Sequence, residues 1–158
     1  MRELRNIRSG RLPEAARWIG RIAVLCALFA SGCIPGVERK PELRLELRGP
    51  LELNEGIPCN LLIRAVSPQL FRGESHAQIA RLVAQADGTV LHAGILYAQR
   101  GKAYQESVVI LPPKHSAVAV YVLFTSAGGS WRLLIEPPLP ARLRIKLGRS
   151  SILGSESY

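Results

Sequence analysis

The chain has 158 residues, of which 47% are hydrophobic and 21% charged, and a formal charge of +9. That length suits one domain around one core, and the composition excludes a disordered body. Six arginines against two glutamates give residues 1–32 a charge of +4, and fifteen basic against ten acidic side chains leave +5 on the rest. A surface so mildly basic lacks the clustered stripe with interleaved aromatics expected of a nucleic-acid binder.

The first element in chain order is the apolar run of nine over residues 22–30, set between Arg21 and Ser31-Gly32-Cys33. As a helix it would rise about 14 Å against a hydrocarbon core of about 30 Å, so it cannot span a membrane alone. It also lacks the polar face of a surface helix. A basic leader, a short apolar run and small residues together describe a secretory signal peptide. Ala30-Ser31-Gly32-Cys33 further resembles the lipobox of bacterial lipoproteins. That resemblance implies loss of residues 1–32, diacylglyceryl and N-acyl groups on Cys33, and a tether over residues 33–41. Two or more acyl chains anchor stably, each buried methylene contributing about 0.8 kcal/mol. The uncharged Ile34 implies, by analogy with lipoprotein sorting, the outer membrane. Cys26 would leave with the signal and Cys33 would be acylated, so Cys59 has no partner for an intrachain disulfide.

From residue 42 the period becomes two. Glu42-Leu43-Arg44-Leu45-Glu46-Leu47-Arg48 alternates charge and leucine, placing the three leucines on one face of a strand. Gly49-Pro50 ends it, and Asn54-Glu55-Gly56-Ile57-Pro58 supplies turn chemistry before a second strand over residues 59–67. Ile79, Leu82, Val83 and Ala86 fall at helical spacing behind Glu74 and Ser75, which predicts a short helix over 75–86. Strands are expected over 89–97, with an interruption at Gly94, and over 106–111. Residues 117–125 (AVAVYVLFT) form the most continuous apolar run and predict a central strand buried on both faces. A turn at 127–130, a strand over 131–136, an extended Pro137-Pro138-Leu139-Pro140 connection and an alternating strand over 142–147 close the fold, leaving 151–158 as a tail. Seven or eight short strands predict an all-β antiparallel sandwich over 42–150 with a short helical insertion.

Catalytic patterns find no support. His76, His92 and His115 stand far apart without second ligands at metal-site spacing, and isolated surface histidines explain them better. Cys59 reads as a half-buried strand residue sooner than a nucleophile. No phosphate loop follows a strand into a helix and no nucleophile elbow is present. Glu42 and Glu46 are interspersed with Arg44 and Arg48, the composition of a solvated charge ladder. Arg142, Arg144 and Lys146 make an alternating basic face, usually a hydrated one, with contact to anionic lipid head groups as the alternative.

Asn54-Glu55-Gly56-Ile57-Pro58-Cys59-Asn60-Leu61-Leu62-Ile63-Arg64-Ala65-Val66 resembles the pattern of the type VI secretion lipoprotein TssJ family, in which Asn, turn residues and Pro precede an apolar strand bearing an Arg. Phe71, the apolar run 117–125, the Trp131-Arg132 pair and the strand 142–147 follow in that family's order, behind a lipobox. The chain departs at Pro112-Pro113-Lys114-His115, where the family often has a Pro-Gly turn, and at Thr125-Ser126, where it often has an Arg. The resemblance implies a transthyretin-like sandwich on the periplasmic face of the outer membrane. It implies binding to the periplasmic domain of the inner-membrane protein TssM, with no enzyme activity, cofactor, small-molecule substrate or nucleic acid. It also implies partner contacts from the loop between the first two strands, here Leu51, Leu53, Asn54, Glu55 and Ile57. The residues alone leave open whether Leu51 and Leu53 are interface anchors or an extension of the core face past a bulge. A different lipid-anchored sandwich, such as a secretin pilot or an envelope-assembly accessory, is the alternative.

Overall fold

The computed structural model describes residues 42–98, 101–126 and 128–158. The expected signal peptide, Cys33 and the tether lie outside the described residues. In order come β1 (Leu43–Gly49), a 3-10 turn (Leu53–Gly56), β2 (Cys59–Val66), α1 (Pro68–Gly73), α2 (His76–Ala84), β3 (Val90–Leu96), β4 (Tyr104–Ile110), β5 (Ala117–Leu123), β6 (Arg132–Ile135), β7 (Arg142–Leu147) and β8 (Ile152–Ser157).

The strands form two four-stranded sheets, β4-β1-β7-β8 and β3-β2-β5-β6. Period-two patterning drives their packing: Leu43, Leu45 and Leu47 of β1 are 1% exposed or less and face Leu61, Ile63, Val118, Val120 and Val122 in the shared core. A leucine removed from water to that degree stabilises the fold by about 1.5–3 kcal/mol. β5 is buried along its whole length, as its unbroken apolar run predicts, because α1 and α2 cover the outer face of its sheet. Leu62, Val66, Ala119, Tyr121 and Leu123 meet Ile79, Phe71, Leu82 and Val83 there in a second core.

The sandwich has the expected class and strand number, with differences in detail. β1 and β7 run parallel, while the other described pairs are antiparallel. β6 finishes at the end where β1 begins, with Ile135 opposite Val118 and Ala117 opposite Val66, and the proline-rich connection carries the chain across to the other sheet, so β1 and β7 both start there. β3 continues through Gly94. The helical insertion is two helices: Ser67 caps α1 with Pro68 in its first turn, and Ser75 with Gln78 forms a capping box on α2. Within residues 151–158, expected as a tail, Ile152–Ser157 form β8 and extend the domain beyond residue 150. Gly148 donates its N–H to Ser151 O at 2.7 Å, a turn that folds β8 back along β7, and Ile152 enters the core. No helix among the described residues is long and apolar enough to cross a membrane.

Candidate functional site: the loop between the first two strands

β1 carries the chain from residue 42 at one end of the sandwich to the loop 49–58 at the other. The registers fix the ends: Leu43 lies opposite Ile110 and Arg44 opposite Arg142, whereas Gly49 lies opposite Tyr104 and Arg48 opposite Lys146. The loop shares its end with the turns after β5 and β7.

Its residues divide into a fixed floor and an exposed rim. Gly49 runs close to the Leu147 and Tyr104 side chains, where an added Cβ would stand 3.3 and 3.5 Å from their Cβ atoms. Leu53 drops into the core at 1% exposure. Asn54, Glu55 and Gly56 then adopt left-handed backbone at φ 51°, 57° and 79°, which in a non-glycine residue costs on the order of 1–3 kcal/mol and needs compensation. The Asn54 side chain supplies it: Nδ2 donates to Ile57 O at 2.8 Å and Thr125 Oγ1 at 3.1 Å, and Oδ1 accepts from Thr125 N at 2.8 Å. Asn54 N also donates to Arg149 O at 2.6 Å. The loop is thus held from three separate stretches of chain.

Outward stand Leu51 at 53% exposure, Ile57 at 46%, and Glu55. Pro50, Leu51, Glu52 and Arg149 line a shallow cleft, crossed by an Arg149–Glu52 ion pair at 2.7 Å. Of the five loop residues singled out in the sequence, Leu53 and Asn54 hold the loop in place, and Leu51, Glu55 and Ile57 form its solvent face. Thr125 and Arg149 escape sequence reading because they stand far along the chain. The Asn-Glu-Gly run was their only local trace, as a signal for left-handed backbone.

Arg64 and the Trp131-Arg132 pair serve elsewhere. Arg64 Nη1 donates to Glu74 Oε1 at 2.9 Å in the buried layer under α1 and α2, and the Tyr121 hydroxyl donates to Glu74 Oε2. Arg132 Nη1 donates to Phe71 O at 2.6 Å and Glu74 O at 2.8 Å, with its guanidinium 4.7 Å from the Phe71 ring centre. These residues fasten the helices to the second sheet.

Cys59 is buried, and desolvation pushes its thiol up to about 11, so it stays protonated at neutral pH. Among the described residues no three His, Cys, Asp or Glu side chains are grouped to hold a metal. On the face of the first sheet, Arg144 Nε donates to Glu46 Oε2 and Nη1 to Glu156 Oε1, both at 2.9 Å, and Lys146 pairs with Glu156 at 2.6 Å. Two of the three residues of the expected basic face are therefore neutralised, and the guanidiniums of Arg48 and Arg144 hold the Glu46 carboxyl below its usual range.

The eight-stranded sandwich places the chain in a structural class with known members. The type VI secretion lipoprotein TssJ1 of Pseudomonas aeruginosa is similar at a TM-score of 0.55 and 14% identity, over 75% of this chain and 97% of that one. Lip of Serratia marcescens, a membrane-bound component of the type VI secretion system, is similar at 0.57 and 12%, over 72% and 94%. A chain of a type VI membrane complex gives 0.53 and 13%, over 71% and 95%. No curated protein sequence matches the chain. Residues 60–147 match the family model "IglE, N-terminal domain", and the chain belongs to that family.

Proposed function

We propose that the protein is a non-enzymatic lipoprotein of a type VI secretion envelope complex. Acylated Cys33 holds it on the periplasmic face of the outer membrane, and the loop 49–58 binds the periplasmic domain of a TssM-like inner-membrane protein. It takes no cofactor, small-molecule substrate or nucleic acid. The observation that carries this reading is the loop: a rigid turn with exposed Leu51 and Ile57, at the end of the sandwich opposite residue 42. A tether joined at residue 42 would attach at the opposite end of β1 from the loop. The fold shared with type VI secretion lipoproteins and membership of the IglE family support the same reading.

Gentle detergent extraction and capture of the full chain tests it. A large inner-membrane secretion component should be recovered. Leu51→Asp and Ile57→Asp should each weaken its capture at least about tenfold, as expected of interface anchors, while thermal unfolding is unchanged. Recovery of no such component would transfer the protein to the pilot or assembly-accessory reading. Cys33→Ser should abolish acyl labelling and release the protein from membranes; retention would sink the tether.

A further inference from the structure

Among the described residues no helix covers the outer face of β4-β1-β7-β8, which is built as rows across the strands. The row nearest residue 42 is Val109, Arg44, Arg142 and Tyr158: Arg44 pairs with Val109 and with Arg142, and Ser157 pairs with Leu143, which sets Tyr158 beside Arg142. The next row is Ser107, Glu46, Arg144 and Glu156, where Arg144 bonds both carboxylates and Arg48 and Lys146 of the following row pair with one each. The first row has no carboxylate of its own. Among the described residues Arg44 meets only the exposed Glu42, at 3.7 Å. Its apolar members are unusually open, Val109 at 50% and Tyr158 at 53%, and Leu111 just beyond β4 is 56% exposed. Tyr158 is held in place by the Arg144 guanidinium, 4.6 Å from its ring centre. Four strands at about 4.8 Å spacing make this row about 15 Å wide.

Two adjacent arginines flanked by a valine and a tyrosine along one row is the chemistry of a membrane interface. The cations pair with anionic head groups while the ring and aliphatic groups sit at the acyl boundary. The row's place also points to lipid: it lies at the end where residue 42 begins the domain, the end that an acyl tether over residues 33–41 would join.

We propose that Val109, Arg44, Arg142 and Tyr158, with Leu111, form a docking edge for an anionic lipid surface. It acts in addition to any acyl anchor and fixes the orientation of the sandwich on the bilayer. Among the described residues the core clusters run from Leu43 to Ile152, within the compact unit Lys40–Tyr158.

Residues 33–158 carrying Cys33→Ser, and hence no acyl group, should co-sediment with vesicles containing phosphatidylglycerol and leave vesicles of phosphatidylcholine alone in the supernatant. Binding should fall with rising salt. Arg44→Gln and Arg142→Gln should each weaken it about fivefold, the equivalent of about 1 kcal/mol per basic residue at an anionic surface. Leu111→Ser and Tyr158→Ser should weaken it without changing its salt dependence. Equal binding to both vesicles, binding to neither, or unchanged binding by the double arginine variant would overturn the proposal. Vesicle indifference together with loss of a captured acidic protein in the arginine variants would overturn it in favour of a protein interface. Leu51→Asp should leave vesicle binding intact, so failure here and failure of the loop reading give different results.

Discussion

Glu74 and Glu46 are each 8% exposed and each bonded to arginine, yet they sit on opposite outer faces of the sandwich. Glu74 lies beneath the helices, where its partner Arg64 has a side chain only 7% exposed and Tyr121 is fully buried. Glu46 lies on the bare sheet, where Arg48 and Arg144 keep 49% and 24% of their side chains in water. The carboxylates are alike and their partners are not. An arginine that can turn to solvent loses little when its partner goes, whereas one sealed under a helix is left as an uncompensated charge.

The largest effect should therefore come from Glu74→Ala, which leaves Arg64 with only the more distant Asp87, at 3.9 Å, and Tyr121 without its acceptor. Its cost should be about 3–5 kcal/mol, read from the urea midpoint. A loss as small as that of Glu46→Gln would erase the distinction between the faces. Arg132→Ala should come next, at about 1–3 kcal/mol, because it removes two hydrogen bonds from a guanidinium to the carbonyls that end α1. Amide exchange should speed up in α1 and α2 while the β5 ladder stays protected, showing that the helices can loosen from an intact sandwich.

The smallest effect belongs to the bare face and should appear as pH dependence. Glu46 and Glu156 titrate below their ordinary range, chiefly through side-chain bonds from Arg48 and Lys146 respectively, joined by Arg144. Their contribution is complete above the usual carboxylate value of about 4.3 and is lost as pH falls through the depressed folded values. Glu46→Gln combined with Glu156→Gln should flatten that acid limb, as should high salt. An acid limb left steep by both changes would place its origin at Asp87, whose carboxyl is also held low, chiefly by the side-chain hydrogen bond from Thr89.

The two faces were not equally legible in the sequence. β1 and β7 declare themselves through strict alternation of leucine or isoleucine with charge, and β5 through its unbroken apolar run, because each pattern is a direct image of what lies on either side of the strand. β8 escaped because Ile152-Leu153-Gly154-Ser155-Glu156-Ser157 has one core residue and a glycine, and its order comes from pairing with β7. The layer under the helices was hidden for another reason. Tyr121 and Glu74 are 47 positions apart, and nothing local to either announces the other. Leu51 and Leu53 show the limit at the candidate site: identical residues at period-two spacing, one exposed and one in the core. The left-handed backbone at Asn54 that turns the chain there is secured by Thr125, 71 positions away.

β1 is flanked on both sides, by β4 and β7, and is the element that runs between residue 42 and the loop 49–58. If one end is tethered and the other gripped, tension passes along this strand. Ladder hydrogen bonds lie across a strand's axis, so such a pull loads them in shear, and they must rupture together instead of opening one by one like a zip. The domain is thereby suited to work as a mechanical link, whose endurance under load is set by its unfolding rate and not by its equilibrium stability.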